Sequence, residues 1–230
     1  ETILSLGYSN IEDFQKDHCL TGDGKIGQLT TAEVESTLIY KPLLSGFRGS
    51  IIWVHEQEGH KGYPYWPGGK SGVTLDPGVD IGQLPFETIK NLYKEVWTLP
   101  STFDFLKKAS GLKGKDAEKF VKDNMAVLKD IRISREKATR IFPYAARPYW
   151  EAIKSRFFLS DAPGCVQSAM LSIAYNRGPR NPGMSVFDKT CMKKNWKELG
   201  NLFKDMQQDH EQIAIRNRRR KEGDLILKYC

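Results

Sequence analysis

A stretch rich in glycine and proline interrupts a chain that otherwise has the pattern of amphipathic helices. From residue 50 onward, apolar residues recur at three- and four-residue spacing, which is typical of helices with one buried face. Residues 61–85 lack this spacing, and they contain Pro64, Pro67, Gly68, Gly69, Gly72, Pro77, Gly78 and Gly82. The helical spacing over most of the chain predicts a mainly α fold. Because glycine and proline both disfavour a continuous helix, residues 61–85 add a non-helical part, which makes the fold one of the α+β kind. We expect a helical bundle domain with a small irregular β wing at residues 61–85.

One predicted helix is more apolar than the others. Its apolar positions are Val166, Ala169, Met170, Ile173 and Ala174. A helix that is apolar over most of its surface is usually buried. We therefore expect this helix, which ends near residues 176–178, to be the central one of the bundle.

Composition and charge limit the possible function classes. The chain has 230 residues, of which 40% are hydrophobic and 27% charged, as in ordinary soluble globular proteins. No apolar run approaches the roughly 18 residues of a membrane-spanning helix, so we expect no stable membrane insertion. The first residues lack the basic flank and cleavage site of a secretory signal, which predicts another route of export.

The net charge of +7 predicts attraction to polyanions, including bacterial envelope polymers. Its most concentrated part is the basic run Arg216–Lys221, which lies between Ile213 and Glu222. Flanking apolar and acidic residues favour a solvated or salt-bridged helix face over a groove-reading helix. We therefore expect no nucleic acid partner.

The cysteines and histidines do not have the spacing of a metal site. Cys19, Cys165, Cys191 and Cys230 are sparse and form no CxxC pair, so we interpret them as free thiols with room for one bridge. His55 and His60 are five residues apart, whereas the HExxH zinc motif needs four. We expect no metal and no organic cofactor.

The first 45 residues have the pattern of a small separate helical module. Residues 11–38 indicate a helix, a tight Asp-Gly turn and a second helix capped by a threonine. The predicted miniature core consists of Phe14, Leu20, Ile26, Val34 and Leu38. Residues 6–38 resemble the second half of the peptidoglycan-binding domain. We predict a truncated module of this kind at residues 1–45 and a linker at 40–49, with a helical hairpin that packs on the main domain as the alternative.

The segment before the wing contains a candidate general acid. Glu58 follows the apolar run at residues 51–54 and precedes Gly59. Apolar surroundings favour the protonated carboxyl that a general acid requires. Glu56 is the rival acid, but a separation of two residues places it on a different helical face. An acid followed by a loop with a hydroxyl at Thr74 and a carboxylate at Asp80 fits hydrolysis of a glycosidic bond.

These motifs resemble the phage-type lysozyme superfamily, in particular its pesticin-like branch of endolysins and wall-degrading toxins. The resemblance lies in Glu58-Gly59, in the run Tyr-Pro-Tyr-Trp-Pro-Gly-Gly-x-Ser-Gly-Val-Thr-Leu, and in Val-Asp-Ile-Gly at residues 79–82. In that branch the Asp follows the Thr by six residues, as Asp80 follows Thr74 (80 − 74 = 6). Residues 172–178 and Arg216–Glu222 are similar to a cleft-lining helix end and to a C-terminal Arg-rich segment of these enzymes.

The resemblance implies a lysozyme-like catalytic domain at residues 50–230 that cleaves the β-1,4 bond between N-acetylmuramic acid and N-acetylglucosamine. It implies Glu58 as the acid, with Thr74 and Asp80 holding water or stabilising an oxocarbenium-like transition state. A carboxyl separation of about 6.5 to 9.5 Å would indicate an inverting mechanism and one near 5 Å a retaining mechanism. Asp76 departs from the family pattern as a second candidate carboxylate, and Pro77 predicts that its side chain points away from Asp80.

Five further residues are candidates for substrate binding. Tyr63, Tyr65 and Trp66 suit stacking on sugar faces, with a hydrophobic plug over the helices as an equal alternative. Asn176 suits a hydrogen bond to an acetamido group or to the wing. For Arg177 we favour a structural ion pair over a substrate contact.

Two other functions are compatible with these motifs: a lytic transglycosylase and a non-catalytic wall-binding module. The expected partner is the glycan strand of peptidoglycan, and the expected state is a monomer that acts in the bacterial periplasm or cell wall. A phage endolysin released through a holin, a secreted effector and a bacteriocin all fit the sequence. For a secreted effector or a bacteriocin, an immunity protein or a secretion-machine carrier is a further expected partner.

Overall fold

A computed structural model describes residues 2–97 and 99–230. Helices account for most of them. In chain order the elements are α1 (Thr2–Ser5), α2 (Ile11–Asp17), α3 (Gln28–Tyr40), α4 (Ile51–Glu56), β1 (Thr74–Leu75), β2 (Val79–Asp80), α5 (Phe86–Tyr93), α6 (Pro100–Lys107), α7 (Lys115–Asp123), α8 (Met125–Asp130), α9 (Arg135–Lys154), α10 (Gly164–Arg177), α11 (Asp188–Met192), α12 (Trp196–Asp205) and α13 (Ile213–Tyr229), with 3-10 turns at Leu159–Asp161 and Pro182–Phe187.

The predicted fold class is confirmed. The chain is mainly helical, and its two short strands, β1 and β2, pair antiparallel within the predicted wing. Across residues 2–97 and 99–230, we find no helix whose length and apolar character would suit a membrane span.

The chain forms two compact units. The first unit consists of residues 1–57 and 146–230, and the second of residues 58–145. One boundary therefore falls directly before Glu58 and the other within α9. The domains predicted from the sequence, residues 1–45 and 50–230, stay a prediction.

Helix α10 is the centre of the first unit, as its apolar pattern predicts. All its residues from Gly164 to Tyr175 are buried, and it packs against α2, α4 and α13. Helices α12 and α13 approach each other closely at Gly200 and Gly223. A Cβ atom at Gly223 would lie 2.5 Å from the carbonyl oxygen of Gly200, so neither position has room for a side chain at this crossing.

The basic run on α13 is only partly a solvated face. Arg218 and Arg219 are 7% and 0% exposed, so of the two predicted alternatives, a solvated or a salt-bridged face, the salt-bridged one applies to them. Both contact Glu222, which is itself fully buried, with Nε to carboxylate distances of 3.3 and 3.0 Å. Burial raises the pKa of Glu222, and the guanidinium groups of Arg219 and Arg218 oppose that shift. Ser172 on α10 donates a hydrogen bond to the same carboxylate, so the run anchors α13 to α10.

The N-terminal helices bury polar side chains and expose apolar ones. On α3 the buried residues are Thr30, Glu33, Thr37 and Tyr40. Of the predicted miniature core, Phe14 is buried and Val34 partly buried, whereas Ile26 and Leu38 are exposed and Leu20 is half-buried; the other core members are Leu6, Tyr8 and Ile3. The predicted threonine cap is also wrong, because α3 begins after Gly27, which makes no side-chain cap.

The carboxylate of Glu33 explains the polar interior of α3. It accepts a hydrogen bond from the Ser50 hydroxyl and contacts His18 Nδ1 at 3.1 Å. Glu33 is 4% exposed, so these partners replace the water that burial removes. The sequence predicts apolar contacts on the inner side of α3, and the structure has instead a polar network of Glu33, Ser50 and His18.

Two of the cysteines form the one bridge for which the sequence leaves room, and the other two are free. Cys19 and Cys191 are free thiols, and burial raises the pKa of each to about 12. Cys165 and Cys230 form a disulfide that ties the residue after α13 to the first turn of α10. Sequence spacing of 65 residues gives no indication of that pairing.

The second unit has an aromatic core beneath the wing. The rings of Tyr93 and Trp97 stack with centroids 4.8 Å apart, and Phe103 contacts Trp97 edge-on. The Tyr93 hydroxyl donates a 2.7 Å hydrogen bond to the Asp76 carbonyl, which attaches the wing to α5. From the wing itself, Val73, Leu75, Val79 and Ile81 are buried.

Two buried tyrosines predict loss of stability in alkali. Burial raises the pKa of Tyr40 and of Tyr93 well above the ordinary value near 10, and both side chains are fully buried. Above pH 10 the unfolded chain releases these protons while the folded chain keeps them. The free energy of unfolding should therefore fall with rising pH by about 1.4 kcal/mol per pH unit for each tyrosine.

Urea unfolding followed by circular dichroism between pH 8 and pH 11 measures this slope, and Tyr93→Phe should reduce it by one tyrosine's share. Tyrosinate absorbance that develops fully near pH 10 in the folded protein would contradict the prediction.

Candidate active site

The chain that leads to Glu58 is fixed within the first unit. The Ser50 hydroxyl caps α4 by accepting a 2.8 Å hydrogen bond from Trp53 N. After the last residue of α4, the carbonyl of Gln57 accepts a hydrogen bond from Arg218 Nη1 at 3.3 Å. The residue directly before Glu58 is therefore held at its carbonyl.

The chain that follows Glu58 is fixed within the second unit by Asp76. Gly59 has a φ of +70°, a left-handed conformation that favours glycine. The Asp76 carboxylate then accepts hydrogen bonds from Lys61 N at 2.9 Å and from Gly62 N, and lies 3.0 Å from His60 Nδ1. Asp76 is 2% exposed. A buried carboxylate thus organises the three residues after the Glu58-Gly59 turn.

The two candidate acids have different surroundings. Glu56 is the last residue of α4 and is exposed, whereas Glu58 lies beyond the helix end and is half-buried. Burial raises the pKa of Tyr65 to about 12, and the negative charges of Asp76 and Glu58 add to the shift. The Tyr65 phenol therefore keeps its proton at neutral pH.

The strand register brings the other two candidate catalytic residues together. In the antiparallel pair of β1 and β2, Thr74 lies directly opposite Asp80 and Leu75 opposite Val79. Directly opposed residues project to the same side of a two-stranded sheet, with Cβ atoms about 5 Å apart. The six-residue spacing is thus the spacing of a tight hairpin with one hydroxyl and one carboxylate on the same face.

The Asp80 carboxylate holds the two ends of that hairpin. It accepts hydrogen bonds from Gly72 N at 2.9 Å, from Gly82 N at 2.8 Å and from the Gln83 side-chain amide. A Cβ atom at Gly72 would lie 2.3 Å from Asp80 Oδ1 and 2.7 Å from Gly82 Cα. Glycine is therefore required where the two segments cross. Since a carboxylate offers about four acceptor positions, three are used and one remains.

Thr74 is more enclosed than a freely accessible catalytic hydroxyl. It is 5% exposed, and its hydroxyl donates a 3.4 Å hydrogen bond to the Gly72 carbonyl. Its backbone exchanges two hydrogen bonds with Tyr65. The hydroxyl oxygen keeps its acceptor positions, so Thr74 can still contact one small molecule such as water.

The three aromatic candidates are half-buried and each has a partner in the wing or beside it. The Trp66 indole donates a 3.1 Å hydrogen bond to the Ser71 carbonyl. The Lys61 ammonium lies 5.8 Å from the centroid of the Tyr65 ring, and the Arg132 guanidinium lies 5.7 Å from that of Tyr63. Each ring therefore keeps some exposed surface while it also packs locally, so both predicted roles stay open.

Asn176 and Arg177 belong to the first unit and have structural partners there. Asn176 Oδ1 accepts a 3.3 Å hydrogen bond from Arg219. Arg177 donates to Asn181 Oδ1 at 3.4 Å and to Met206 Sδ at 3.3 Å. Within the described part of the chain it forms no ion pair, so our expectation of a structural ion pair is replaced by these neutral contacts.

Sequence analysis did not identify several residues that shape this region. Asp76 was flagged only as a second carboxylate, and its separate set of donors agrees with the expectation that it points away from Asp80. His60 was considered only as a metal ligand, and no pattern pointed to Gln83. Gly72 could have been recognised, because glycine inside a strand pattern often marks a close approach of two backbones.

The described residues form no metal-ligand cluster, and the cavity between α5 and α6 lies away from the candidate residues. In residues 2–97 and 99–230, no three His, Cys, Asp or Glu side chains are grouped as metal ligands would be. A cavity of about 300 Å³ lies between α5 and α6, but it contains none of the candidate residues. We assign it no role.

Comparison with known proteins gives one family. Residues 51–211 match the family model described as Pesticin, "Bacterial toxin homologue of phage lysozyme, C-term". The match begins at the first residue of α4 and covers all the candidate catalytic and binding residues. Residues 6–38 and Arg216–Glu222, which carry the further resemblances, lie outside it. No similar protein was found among the curated proteins.

The geometry around Asp80 predicts a strong effect of Gly72→Ala. The added methyl group would collide with the carboxylate and with the Gly82 backbone, so the free energy of unfolding should fall by about 1–3 kcal/mol. The amides of Gly82 and residue 72 should lose protection from hydrogen exchange. Gly27→Ala is the matched control, because a Cβ there meets no atom within 4 Å. Unchanged protection in Gly72→Ala would refute the arrangement.

Proposed function

Because this chain belongs to the pesticin family of bacterial toxin homologues of phage lysozyme, we propose that it is a peptidoglycan hydrolase of the muramidase type. The bond cleaved is the β-1,4 linkage between N-acetylmuramic acid and N-acetylglucosamine. The activity needs neither metal nor organic cofactor in this proposal. A lysozyme-like relationship is established by the family; the specificity is our inference.

The observation that carries the proposal is the register of the wing. Thr74 faces Asp80 across the hairpin, in a segment that begins directly after Glu58 and whose first residues are fixed by Asp76. An acid, a hydroxyl and a second carboxylate are thus supplied by one short stretch of the second unit. This is the equipment that hydrolysis of a glycosidic bond requires.

The proposed roles follow from the surroundings of each group. Glu58, half-buried beyond the end of α4, protonates the oxygen of the leaving sugar. The fourth acceptor position of Asp80 and the Thr74 hydroxyl orient one water for attack on the sugar carbon. The three donors on Asp80 keep its carboxylate in place, so little reorganisation is needed during the reaction.

Hydrolysis is favoured over lytic transglycosylation by the same carboxylate. A transglycosylase lets a hydroxyl of the sugar attack and so requires no group that positions water. Asp80 is held by three donors directly opposite Thr74, and the proposal gives this pair the role of positioning water. A wall-binding module without activity would require none of these three groups in register.

The wider setting is also part of the proposal. The substrate partner is the glycan strand, and the enzyme acts on the bacterial cell wall, as a monomer, after holin release or delivery by a secretion system. Either an immunity protein or a carrier of the secretion machinery would accompany a toxin of this kind. Asn176, Arg177 and the aromatic residues Tyr63, Tyr65 and Trp66 remain proposed substrate contacts.

Replacement of Glu58 tests the proposal. Glu58→Gln removes the acidic proton while it preserves shape, so the rate of peptidoglycan hydrolysis should fall at least about 100-fold. The matched control is Glu56→Gln, two residues earlier, on the exposed side of the helix end. It should keep most of the activity. Release of reducing sugar ends measures both rates, and circular dichroism checks that both variants are folded.

Two outcomes would contradict this assignment. Retention of more than about a tenth of the rate in Glu58→Gln is incompatible with general acid catalysis by that residue. A larger loss in Glu56→Gln than in Glu58→Gln would transfer the role to Glu56.

A further inference from the structure

The wing and one neighbouring loop share an unusual charge distribution. Residues 59–75 contain Lys61 and Lys70 and no acidic residue, and residues 105–115 contain four lysines and again no acidic residue. We call this set the lysine rim: Lys61, Lys70, Lys107, Lys108, Lys113 and Lys115. The net charge of the whole chain is only +7, so the absence of acids over both segments is a local feature.

Backbone pairing brings the two segments together. Gly72 forms an antiparallel bridge with Lys113, and Gly114 N donates a 2.9 Å hydrogen bond to the Ser71 carbonyl. Lys70 and Lys115 flank this pairing, one on each segment. The backbone positions of Lys70, Lys113 and Lys115 therefore lie on two paired segments of the second unit.

These ammonium groups lack the partners that other lysines of the unit have. On α7, Lys119 pairs with Asp123 at 2.6 Å and Lys122 with Glu118 at 2.8 Å. Within the described residues, Lys70, Lys113 and Lys115 have no carboxylate within ion-pair distance, and all three are exposed. Like charges on neighbouring segments repel each other. A bound anion would relieve that repulsion.

The rim adjoins the groups proposed to bind and cleave the glycan. The Ser71 carbonyl that accepts from Gly114 also accepts from the Trp66 indole. Gly72, the partner of Lys113, donates its N–H to the Asp80 carboxylate. An anion at the rim would therefore lie next to the aromatic residue and the hairpin, within a single unit.

We propose that the lysine rim binds carboxylate groups carried by the glycan strand, so that the enzyme selects carboxylate-bearing peptidoglycan over neutral glycans. This inference rests on the proposed function. Two sources of carboxylate exist in such a substrate: the stem peptides and, where those are removed, the lactyl group of muramic acid. Aromatic rings stack on sugars while the ammonium groups pair with their acidic substituents.

The test compares two triple variants of the full chain. Lys70→Gln, Lys113→Gln and Lys115→Gln together remove three charges of the rim. The matched control removes three exposed lysines of the same unit outside it, Lys119, Lys122 and Lys129, by the same change. Both variants lose equal charge, so a difference between them reports position. Thermal unfolding confirms that both are folded.

Three substrates distinguish the sources of carboxylate: intact peptidoglycan, glycan strands stripped of peptide by an amidase, and stripped strands whose lactyl carboxylates have been coupled to methylamine. We expect the rim variant to lose about tenfold in kcat/KM on intact peptidoglycan, and none on the neutral strands. The control variant should lose little on either. A loss on intact peptidoglycan assigns the contact to carboxylates of the stem peptides, because the lactyl carboxyl is amide-bonded there. A loss on stripped strands shows that the rim also binds the lactyl carboxylate that the amidase frees.

Salt gives a second readout. The rim effect should shrink as ionic strength rises, because the Debye length falls from about 10 Å at 0.1 M to about 3 Å at 1 M. An equal loss on neutral and charged strands, or an equal loss in the two variants, would overturn the inference. If the unmodified protein cleaved none of the three substrates, the proposed function would fail instead.

Discussion

Two carboxylates that accept hydrogen bonds from backbone amides hold the wing in shape. Its only regular structure is a pair of two-residue strands, so ladder hydrogen bonds alone cannot define it. Asp76 binds the amides of residues 61 and 62, and Asp80 binds those of residues 72 and 82. Charge-assisted hydrogen bonds are about twice as strong as neutral ones. The rest of the site depends on these two carboxylates. Asp76 fixes the path of the chain after Glu58, and Asp80 fixes the hairpin in which Thr74 lies opposite it.

Asp76 and Asp80 have different roles because their side chains are exposed to different degrees. Asp76 is almost fully buried and its carboxylate contacts residues 60–62, so the role of this side chain is to place the backbone after Glu58. Asp80 is half-buried and lies opposite Thr74, and its carboxylate accepts three hydrogen bonds. One carboxylate is thus structural, and the other is both structural and available to solvent. Glycine at 72 allows this second arrangement because no side chain intervenes.

Much of the fold is predictable from local pattern. The apolar face of α10 and the break at residues 61–85 both follow from spacing alone, and the six-residue interval from Thr74 to Asp80 corresponds to one hairpin pair. Long-range polar pairing is different. Arg219 is buried because Glu222 neutralises it and Asn176, 43 residues away in sequence, accepts a hydrogen bond. No local pattern identifies such a partner, and the disulfide between Cys165 and Cys230 is hidden for the same reason.

In the N-terminal helices, hydrophobic periodicity predicts the wrong buried face. Hydrophobic periodicity predicts that Leu38 is inside, yet α3 buries Glu33 and Thr37 and exposes Leu38 at 52%. The polar partners of Glu33 are His18 and Ser50, which come from other elements. Since Ser50 also caps α4, this polar network holds the start of the helix that precedes Glu58. The candidate site residues were named from motifs, but what positions them was visible only in three dimensions.

The central claim is that Glu58, Thr74 and Asp80 act together to add water across a muramyl bond. Mass spectrometry of the fragments released from peptidoglycan in oxygen-18-labelled water tests it most directly. Hydrolysis predicts reducing N-acetylmuramic acid ends that each carry one labelled oxygen. Anhydromuramic ends without label, reducing N-acetylglucosamine ends, or no released fragments would contradict the account.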